Sequence, residues 1–445
     1  MASADATQTA SSGALLVRWQ GVITPDQAVL KRLEGLAGLL LLALFTGLPF
    51  FTRTGLALVI AACGVLWLLW CLCSPPPQRI GTISRWLMLF LAIAIVATGC
   101  SPVPIAASKG LIKLLSYLGV YALLCKLLLS NSRWWNRLIA GLLSGGLFSS
   151  VLALRQLYAS SEALAGWADP NSISAGTVRI YGPLGNPNLL AGYLLPLIPF
   201  AAIALVRWRG VGAQLFAGTT LVLAATATLF TYSRGGWLGM VAAGAVLLLL
   251  LLLRWTRHWP PLWRRLVPLA VLLVGAACLV VAATQIDPIR TRITSLLAGR
   301  GDSSNNFRIN VWMSAVAMVQ DRPWLGIGPG NNAFNSIYPL YQQPRFNALS
   351  AYSVPLEVLV ETGWPGLIAC LGLAWSSVSE GMAGLIGDGP LQLPRLASLA
   401  AIAGLMIQGA TDTIFFRPEV QIVGLFCLAT LAQHHRSSSL ETGPC

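Results

Sequence analysis

Apolar segments separated by polar loops make up most of the chain. A helix needs about 20 apolar residues to cross the hydrocarbon core of a membrane, and twelve segments approach that length. They are, in order, Gly35–Phe51, Leu56–Cys73, Ile83–Thr98, Gly110–Leu129, Leu138–Leu154, Leu189–Val206, Ala213–Thr231, Trp237–Leu253, Leu266–Thr284, Gly366–Ser379, Leu396–Phe415 and Val420–Ala432. This pattern predicts an all-α integral membrane protein with about 12 transmembrane helices. The tenth segment is short, and its helix can instead begin inside the polar motif before it.

One long polar stretch, Asn305–Gly366, interrupts the apolar pattern between the ninth and tenth segments. Apolar residues in its first part recur at helical spacing, which predicts an amphipathic helix over Arg308–Gln320 with Arg308 in its first turn. Glycines then cluster in the segment Gly326–Gly330. Polar, glycine-rich chain between membrane spans is typical of a segment that holds a ligand.

The same pattern divides the chain into five segments. Residues 1–34 form a polar tail, residues 35–284 the first nine spans, and residues 285–365 a loop with amphipathic helices. Residues 366–433 form the last three spans and residues 434–445 a second tail. Arginines and lysines are concentrated in alternate short loops, so the positive-inside rule places both termini in the cytoplasm and Gln285–Tyr352 on the outer face.

The composition supports a membrane protein and excludes several other classes. The chain is 56% hydrophobic and 10% charged, with a mean hydropathy of +0.71, whereas soluble domains carry about 25% charged residues. Its net charge of +14 is typical of positive anchors at helix ends, and no nucleic-acid-binding motif accompanies it. None of the nine cysteines belongs to a Cys-x-x-Cys motif or a Cys/His cluster. We therefore expect no metal, cofactor, disulfide framework or nucleic-acid partner.

Three arginines on the predicted outer face are candidate anion ligands. Arg234 lies in a Tyr-Ser-Arg-Gly-Gly turn between spans seven and eight, where positive membrane anchors are not favoured. Arg308 lies in the predicted amphipathic helix, and Arg345 lies in the loop that follows it. A planar guanidinium can bind a phosphate or carboxylate through two hydrogen bonds. The alternative for Arg234 is an interfacial anchor.

Two further motifs contain polar side chains at the starts of predicted helices. Asn186 and Asn188 form an Asn-Pro-Asn motif before span six, and Asn188 is the expected cap of that helix. Glu357 and Glu361 are four residues apart and therefore share one helical face. These carboxylates can act as a base or steer a cation, or they can pair with arginines such as Arg308 or Arg345 to hold the loop.

Together these motifs resemble the O-antigen ligase and polymerase superfamily, whose members are multi-span transferases that use undecaprenyl-pyrophosphate-linked sugars. The resemblance covers about Gly182–Ser379 and includes the Asn-Pro-Asn, Ser-Arg-Gly, Arg-x-x-x-Trp and Glu-x-Gly-x-x-Gly motifs in that order. It implies that Arg234 and Arg308 bind the lipid pyrophosphate in one outer cavity. It also implies a bacterial plasma membrane location, with membrane lipid and an anionic substrate as partners.

The chain departs from the family ligases at the position of their His-Asn pair, in which the histidine is the base for the acceptor hydroxyl. Tyr352 and Ser353 occupy these positions, and the three histidines, His258, His434 and His435, fall on predicted cytoplasmic loops. Because a tyrosine with a pKa of about 10 is a poor base at neutral pH, the sequence contains no direct replacement for the family histidine.

Tyr352, Glu357 and Glu361 are accordingly the candidate catalytic residues. The Ala-Tyr-Ser-x-Pro-Leu-Glu form of the motif is most similar to the cyanobacterial branch of the superfamily that is named for bicarbonate transport (IctB). Three functions remain open: a role in inorganic carbon accumulation, transfer of a lipid-linked glycan at the outer face, and a non-catalytic role as a membrane partner.

Overall fold

The computed structural model describes residues 27–74, 80–158, 179–285, 290, 298–386 and 389–433. Every regular element within these ranges is a helix. Helices α1 to α5 are Gln27–Gly47, Arg53–Cys73, Thr82–Gly99, Pro104–Ser130 and Trp134–Arg155, and helices α6 to α10 are Pro187–Leu194, Leu197–Arg207, Val211–Phe230, Arg234–Trp255 and Pro261–Gln285. Helices α11 to α15 are Ser303–Asp321, Asn331–Ile337, Val354–Met382, Gln392–Gly409 and Pro418–Ala432. Most of the predicted N-terminal tail and all of the C-terminal tail lie outside the described residues.

The helices support a multi-pass membrane protein. Nine helical stretches in the described part of the chain are long and apolar enough to cross a membrane. Helices also occupy the other three predicted segments, as α1, α14 and α15, but these are shorter or more polar. The exact count of twelve spans therefore stays a prediction.

The sixth predicted span, Leu189–Val206, contains a break that the hydropathy pattern does not show. Helix α6 ends at Leu194, and α7 begins at Leu197 after Pro196. Proline has no N–H to donate to the preceding turn, so it interrupts the helical hydrogen-bond ladder.

The tenth predicted span is the second part of α13. This helix begins at Val354, inside the polar motif and ahead of Gly366. Gly363 interrupts it with φ 65° and ψ −166°, and Pro365 follows inside the helix. The motif thus belongs to a kinked helix, and the predicted loop ends earlier than residue 365.

An aromatic group lies at the centre of the larger apolar core, which joins the membrane helices. The rings of Phe45, Trp135 and Phe200 lie with their centroids 5.2, 6.5 and 5.7 Å from that of Phe426. These four side chains come from α1, α5, α7 and α15. The first and last helices of the described chain therefore pack together.

A second, smaller core contains α11, α12 and the start of α13. It includes Val311, Ala315 and Met318 on one face of α11, together with Phe334 and Val360. Helix α11 thus buries one face against protein, and its own first turn stands beside the ends of the membrane helices.

Backbone hydrogen bonds attach the glycine-rich loop to the kink in α13. The Ile327 amide donates to the Val360 carbonyl at 2.9 Å, and the Trp364 amide donates to the Pro323 carbonyl at 2.9 Å. The loop is therefore fixed on both sides of Gly363.

Candidate functional site

Arg308 is buried in α11 with one donor unsatisfied. The helix begins at Ser303, so Arg308 lies beyond the first turn and not within it as predicted. Its Nη1 donates to Ser304 Oγ at 2.9 Å, but its Nε is buried without a hydrogen-bond partner among the described residues. Burial lowers the pKa of Arg308, whereas the nearby Asp412 raises it. Because a guanidinium remains charged in proteins, the open Nε is suited to an anionic acceptor.

Arg234 binds the N-terminus of the same helix. Its Nη2 lies 2.7 Å from Asp302 Oδ1 and its Nη1 lies 2.7 Å from Asn305 Oδ1. Asp302 is the N-cap of α11, and its Oδ1 also accepts the Asn305 amide at 3.1 Å. The side chains of Arg234 and Asp302 are 10% and 0% exposed. The structure thus brings Arg234 and Arg308 to the same two turns of α11, and Arg234 also lowers the pKa of Arg308.

Asp412 is the carboxylate beside Arg308, and it lies after the end of α14. Its Oδ2 accepts from Asn188 Nδ2 at 2.8 Å and its Oδ1 accepts from the Thr413 amide at 2.8 Å. Asn188 Oδ1 in turn accepts from Arg179 Nη2 at 2.7 Å. Burial raises the pKa of Asp412, whereas Arg308, Thr413, Asn188 and Arg179 each lower it. A carboxylate with a raised pKa is better suited to proton transfer near neutral pH.

The start of α6 corrects the prediction for Asn188. Asn186 is the N-cap, and its Oδ1 accepts the amides of Asn188 at 2.8 Å and Leu189 at 3.2 Å. Pro187 occupies the first helical position, where a missing N–H has no cost, so the residue before it becomes the cap. Asn188 is therefore available to bridge Arg179 and Asp412.

Tyr352 stands close to both Arg308 and Asp412. Its φ of 50° is left-handed, and its ring packs edge-on against Phe307 with centroids 5.3 Å apart. Its carbonyl accepts from Trp312 Nε1 at 3.4 Å. Burial raises the pKa of Tyr352, and Asp412 raises it further against the opposing effect of Arg308. Its hydroxyl is therefore deprotonated even less often at neutral pH than that of a free tyrosine, so less of the basic form is present.

Glu357 and Glu361 bind backbone amides of the loop. Glu357 Oε2 accepts from the Ala351 amide at 2.5 Å, and Glu361 Oε1 accepts from the Gly330 amide at 2.7 Å. Both side chains are buried, and neither forms an ion pair within the described part of the chain. They hold the loop through its amides and not through Arg308 or Arg345, the arginines considered from the sequence. Arg345 itself is exposed, with φ 73°.

Asp302, Asp412 and Arg179 belong to this cluster but were not among the predicted anion-binding or catalytic residues. Asp302 has a readable signal, since an aspartate before a polar first turn is a typical helix cap. Asp412 also has one, because a lone carboxylate at the end of an apolar segment is a functional candidate by default. Arg179 has no local signal, and only its hydrogen bonds to Asn188 and to the Thr231 carbonyl connect it to the site.

Comparison with known proteins gives one family match, which covers part of this cluster. The Wzy_C family model, described as O-antigen ligase, matches residues 219–371. This region contains Arg234, Arg308 and Tyr352, whereas Asp412 and Asn188 lie outside it. No curated protein sequence matches the chain. The match supports the O-antigen ligase and polymerase superfamily, and it does not distinguish the bicarbonate branch within it.

Proposed function

We propose that the chain is a membrane transferase of the O-antigen ligase type. It would bind the pyrophosphate of a polyprenyl-linked glycan beside Arg308 and transfer the glycan to an acceptor hydroxyl. The observation that carries this proposal is the buried Arg308 Nε, which has no partner among the described residues and lies within the matched region. An unsatisfied buried donor on a charged group is costly, and a pyrophosphate oxygen supplies the acceptor it needs.

Asp412 is the proposed base for this reaction. The acceptor oxygen attacks the anomeric carbon of the glycan, the bond from that carbon to the pyrophosphate oxygen breaks, and polyprenyl pyrophosphate leaves. Arg308 stabilises the negative charge that develops on the departing oxygen, an effect that is strongest in a desolvated site. Asp412 takes the proton of the acceptor hydroxyl, and burial, which raises its pKa, makes it a stronger base.

The three residues first considered as bases have other roles in this proposal. The raised pKa of Tyr352 favours a role in lining the site beside Arg308. The hydrogen bonds of Glu357 and Glu361 to loop amides favour roles in holding the loop.

We also propose that this site faces the outside of a bacterial plasma membrane, with both termini in the cytoplasm. The support is the positive-inside rule, applied to the arginine-rich short loops at the opposite ends of the helices. A lipid-linked glycan that is displayed on the outer face would then reach the site from the membrane.

The test is release of undecaprenyl pyrophosphate by purified protein in liposomes that contain the lipid-linked glycan and an acceptor. Arg308→Lys keeps the charge but removes Nε and the planar fork, so the rate should fall about tenfold or more. Asp412→Asn should lower it about 10²–10⁴-fold. The matched control is Arg322→Lys, at the exposed C-cap of the same helix, which should keep the full rate. A wild-type rate for Arg308→Lys, or no release by the unmodified protein, would refute the proposal.

Inorganic carbon accumulation is the second candidate, and one observation favours it. A desolvated arginine with an open donor can also bind bicarbonate, which carries a single negative charge. Uptake of labelled bicarbonate in the same liposomes separates the two functions. Uptake that depends on Arg308, without any release of undecaprenyl pyrophosphate, would favour the second candidate.

A further inference from the structure

The guanidinium of Arg234 faces protein and not an open site. Both of its terminal nitrogens donate to the cap region of α11, at 2.7 Å to Asp302 and 2.7 Å to Asn305. The carboxylate on which it rests is 0% exposed. The two terminal nitrogens that would bind a pyrophosphate thus already donate to an internal carboxylate and an amide oxygen.

Arg308 differs from Arg234 in this respect. It makes one hydrogen bond, to Ser304 in the first turn of its own helix, and its Nε is unpartnered within the described ranges. Arg234 binds the cap of that helix, and Arg308 projects from its second turn. Any shift of the cap therefore moves Arg308.

We propose that Arg234 is a positioning residue, which fixes the N-terminus of α11 through Asp302 and thereby places Arg308 against the anion. Arg308 alone of the two then contacts the pyrophosphate. This inference rests on the proposed function. It differs from the expectation, implied by the family resemblance, that both arginines bind the lipid pyrophosphate directly.

The direction in which one substitution changes the affinity for an anion distinguishes a direct role of Arg234 from a positioning role. Asp302→Asn keeps a good helix cap, because asparagine is as favourable as aspartate at this position, but it removes the charge partner of Arg234. If Arg234 were a direct ligand and Asp302 its competitor, this substitution would free the guanidinium and remove a negative charge, so anion affinity would rise. If Arg234 acts through the cap, affinity falls instead.

The experiment is a double-mutant cycle on the full-length protein, with Arg234→Gln, Asp302→Asn and the double variant. Farnesyl pyrophosphate serves as the soluble probe, and its Kd is measured per folded molecule, with folding checked by thermal unfolding. We expect each single variant to weaken binding about tenfold. The double variant should bind the probe at most about threefold more weakly than either single variant, because both substitutions break the same contact. Arg234→Lys provides a second, milder variant, since a lysine keeps the positive charge beside Asp302 but lacks the rigid fork whose two nitrogens reach Asp302 and Asn305.

The outcomes separate this inference from the proposed function. Tighter binding by Asp302→Asn, or additive losses in the double variant, would overturn the positioning role. Arg308→Gln is measured in the same assay, and unchanged binding by this variant would overturn the proposed function itself. A merely structural role for Arg234 would reduce the folded fraction without changing the Kd of the molecules that remain folded, and that result would also overturn the inference.

Discussion

Gly363→Ala should destabilise the protein more than any ordinary glycine substitution in a turn. Gly363 has φ 65° and ψ −166°, a region of backbone conformation that is essentially restricted to glycine. A Cβ at this position would lie 2.5 Å from the carbonyl oxygen of Pro323 and 2.5 Å from the carbonyl carbon of Trp324. Both neighbours are backbone atoms of the attached loop, so neither can move aside by changing a rotamer.

Two contributions determine how much Gly363→Ala should lower the free energy of unfolding. The backbone conformation costs about 1–3 kcal/mol for a residue with a side chain, and forced overpacking costs about another 1–3 kcal/mol. The free energy of unfolding should therefore fall by about 2–6 kcal/mol. Gly185→Ala is the matched control, because Gly185 is also left-handed, at φ 68°, but has no atom within 4 Å of its ideal Cβ. Only the left-handed conformation is penalised there, by about 1–2 kcal/mol.

The assay is thermal unfolding of both variants in the same detergent, followed by intrinsic tryptophan fluorescence. Gly363→Ala should unfold at a clearly lower temperature than Gly185→Ala, which should itself unfold slightly below the unmodified protein. If Gly363→Ala is as stable as Gly185→Ala, the attachment of the loop to α13 at Pro323 and Trp364 is not as tight as the hydrogen bonds indicate, and the reasoning fails.

Three further predictions concern the site and its orientation. Because burial raises the pKa of Asp412 above an unfolded value of about 3.9, this residue contributes stability at low pH that is lost as the pH rises through the folded pKa. Asp412→Asn should remove that part of the pH dependence of Tm, and an unchanged profile would contradict the shift. Cysteines introduced at Ser303 and Ser438 should be labelled from opposite faces of the membrane by an impermeant maleimide, and labelling of both from outside would exclude the proposed topology. Tyr352→His with Ser353→Asn introduces the His-Asn pair of the ligases that the chain resembles and should raise glycan transfer, whereas no transfer with impaired bicarbonate uptake would favour the second candidate function.

The local sequence pattern was sufficient to predict most of the helices. The apolar spacing in Val311, Ala315 and Met318 correctly indicates the buried face of α11, because periodicity reports directly on burial. The sequence also contained the information needed to identify the cap of α6, which was wrongly predicted to be Asn188. A proline at the first helical position makes the preceding residue, Asn186, the cap. That error came from weighing the wrong residue and not from missing information.

The site itself was only partly predictable, because its contacts join residues far apart in the chain. Asp302 lies 68 residues from Arg234, and Asp412 lies 224 residues from Asn188. No periodicity or motif encodes such pairs, so the local signals of the two carboxylates do not show which side chain each one contacts. The paired Glu357 and Glu361, which had the clearest local pattern, bind loop amides. A regular spacing of carboxylates indicates that they share a face, but not what that face meets.

The helix termini explain why an anion is the expected ligand at this position. Helices α6, α9 and α11 all begin at the cluster, and their first two turns contribute Asn188, Arg234 and Arg308. The N-terminus of a helix carries a partial positive charge. The three helix ends therefore add to the positive charge of the arginines, and the region has a net positive charge. Asp302 neutralises part of it through the cap of α11, and Asp412 supplies the other nearby carboxylate from the end of α14. Because Asp302 is bonded to Arg234, the remaining positive charge is concentrated at Arg308, beside Asp412, the carboxylate that we propose as the base.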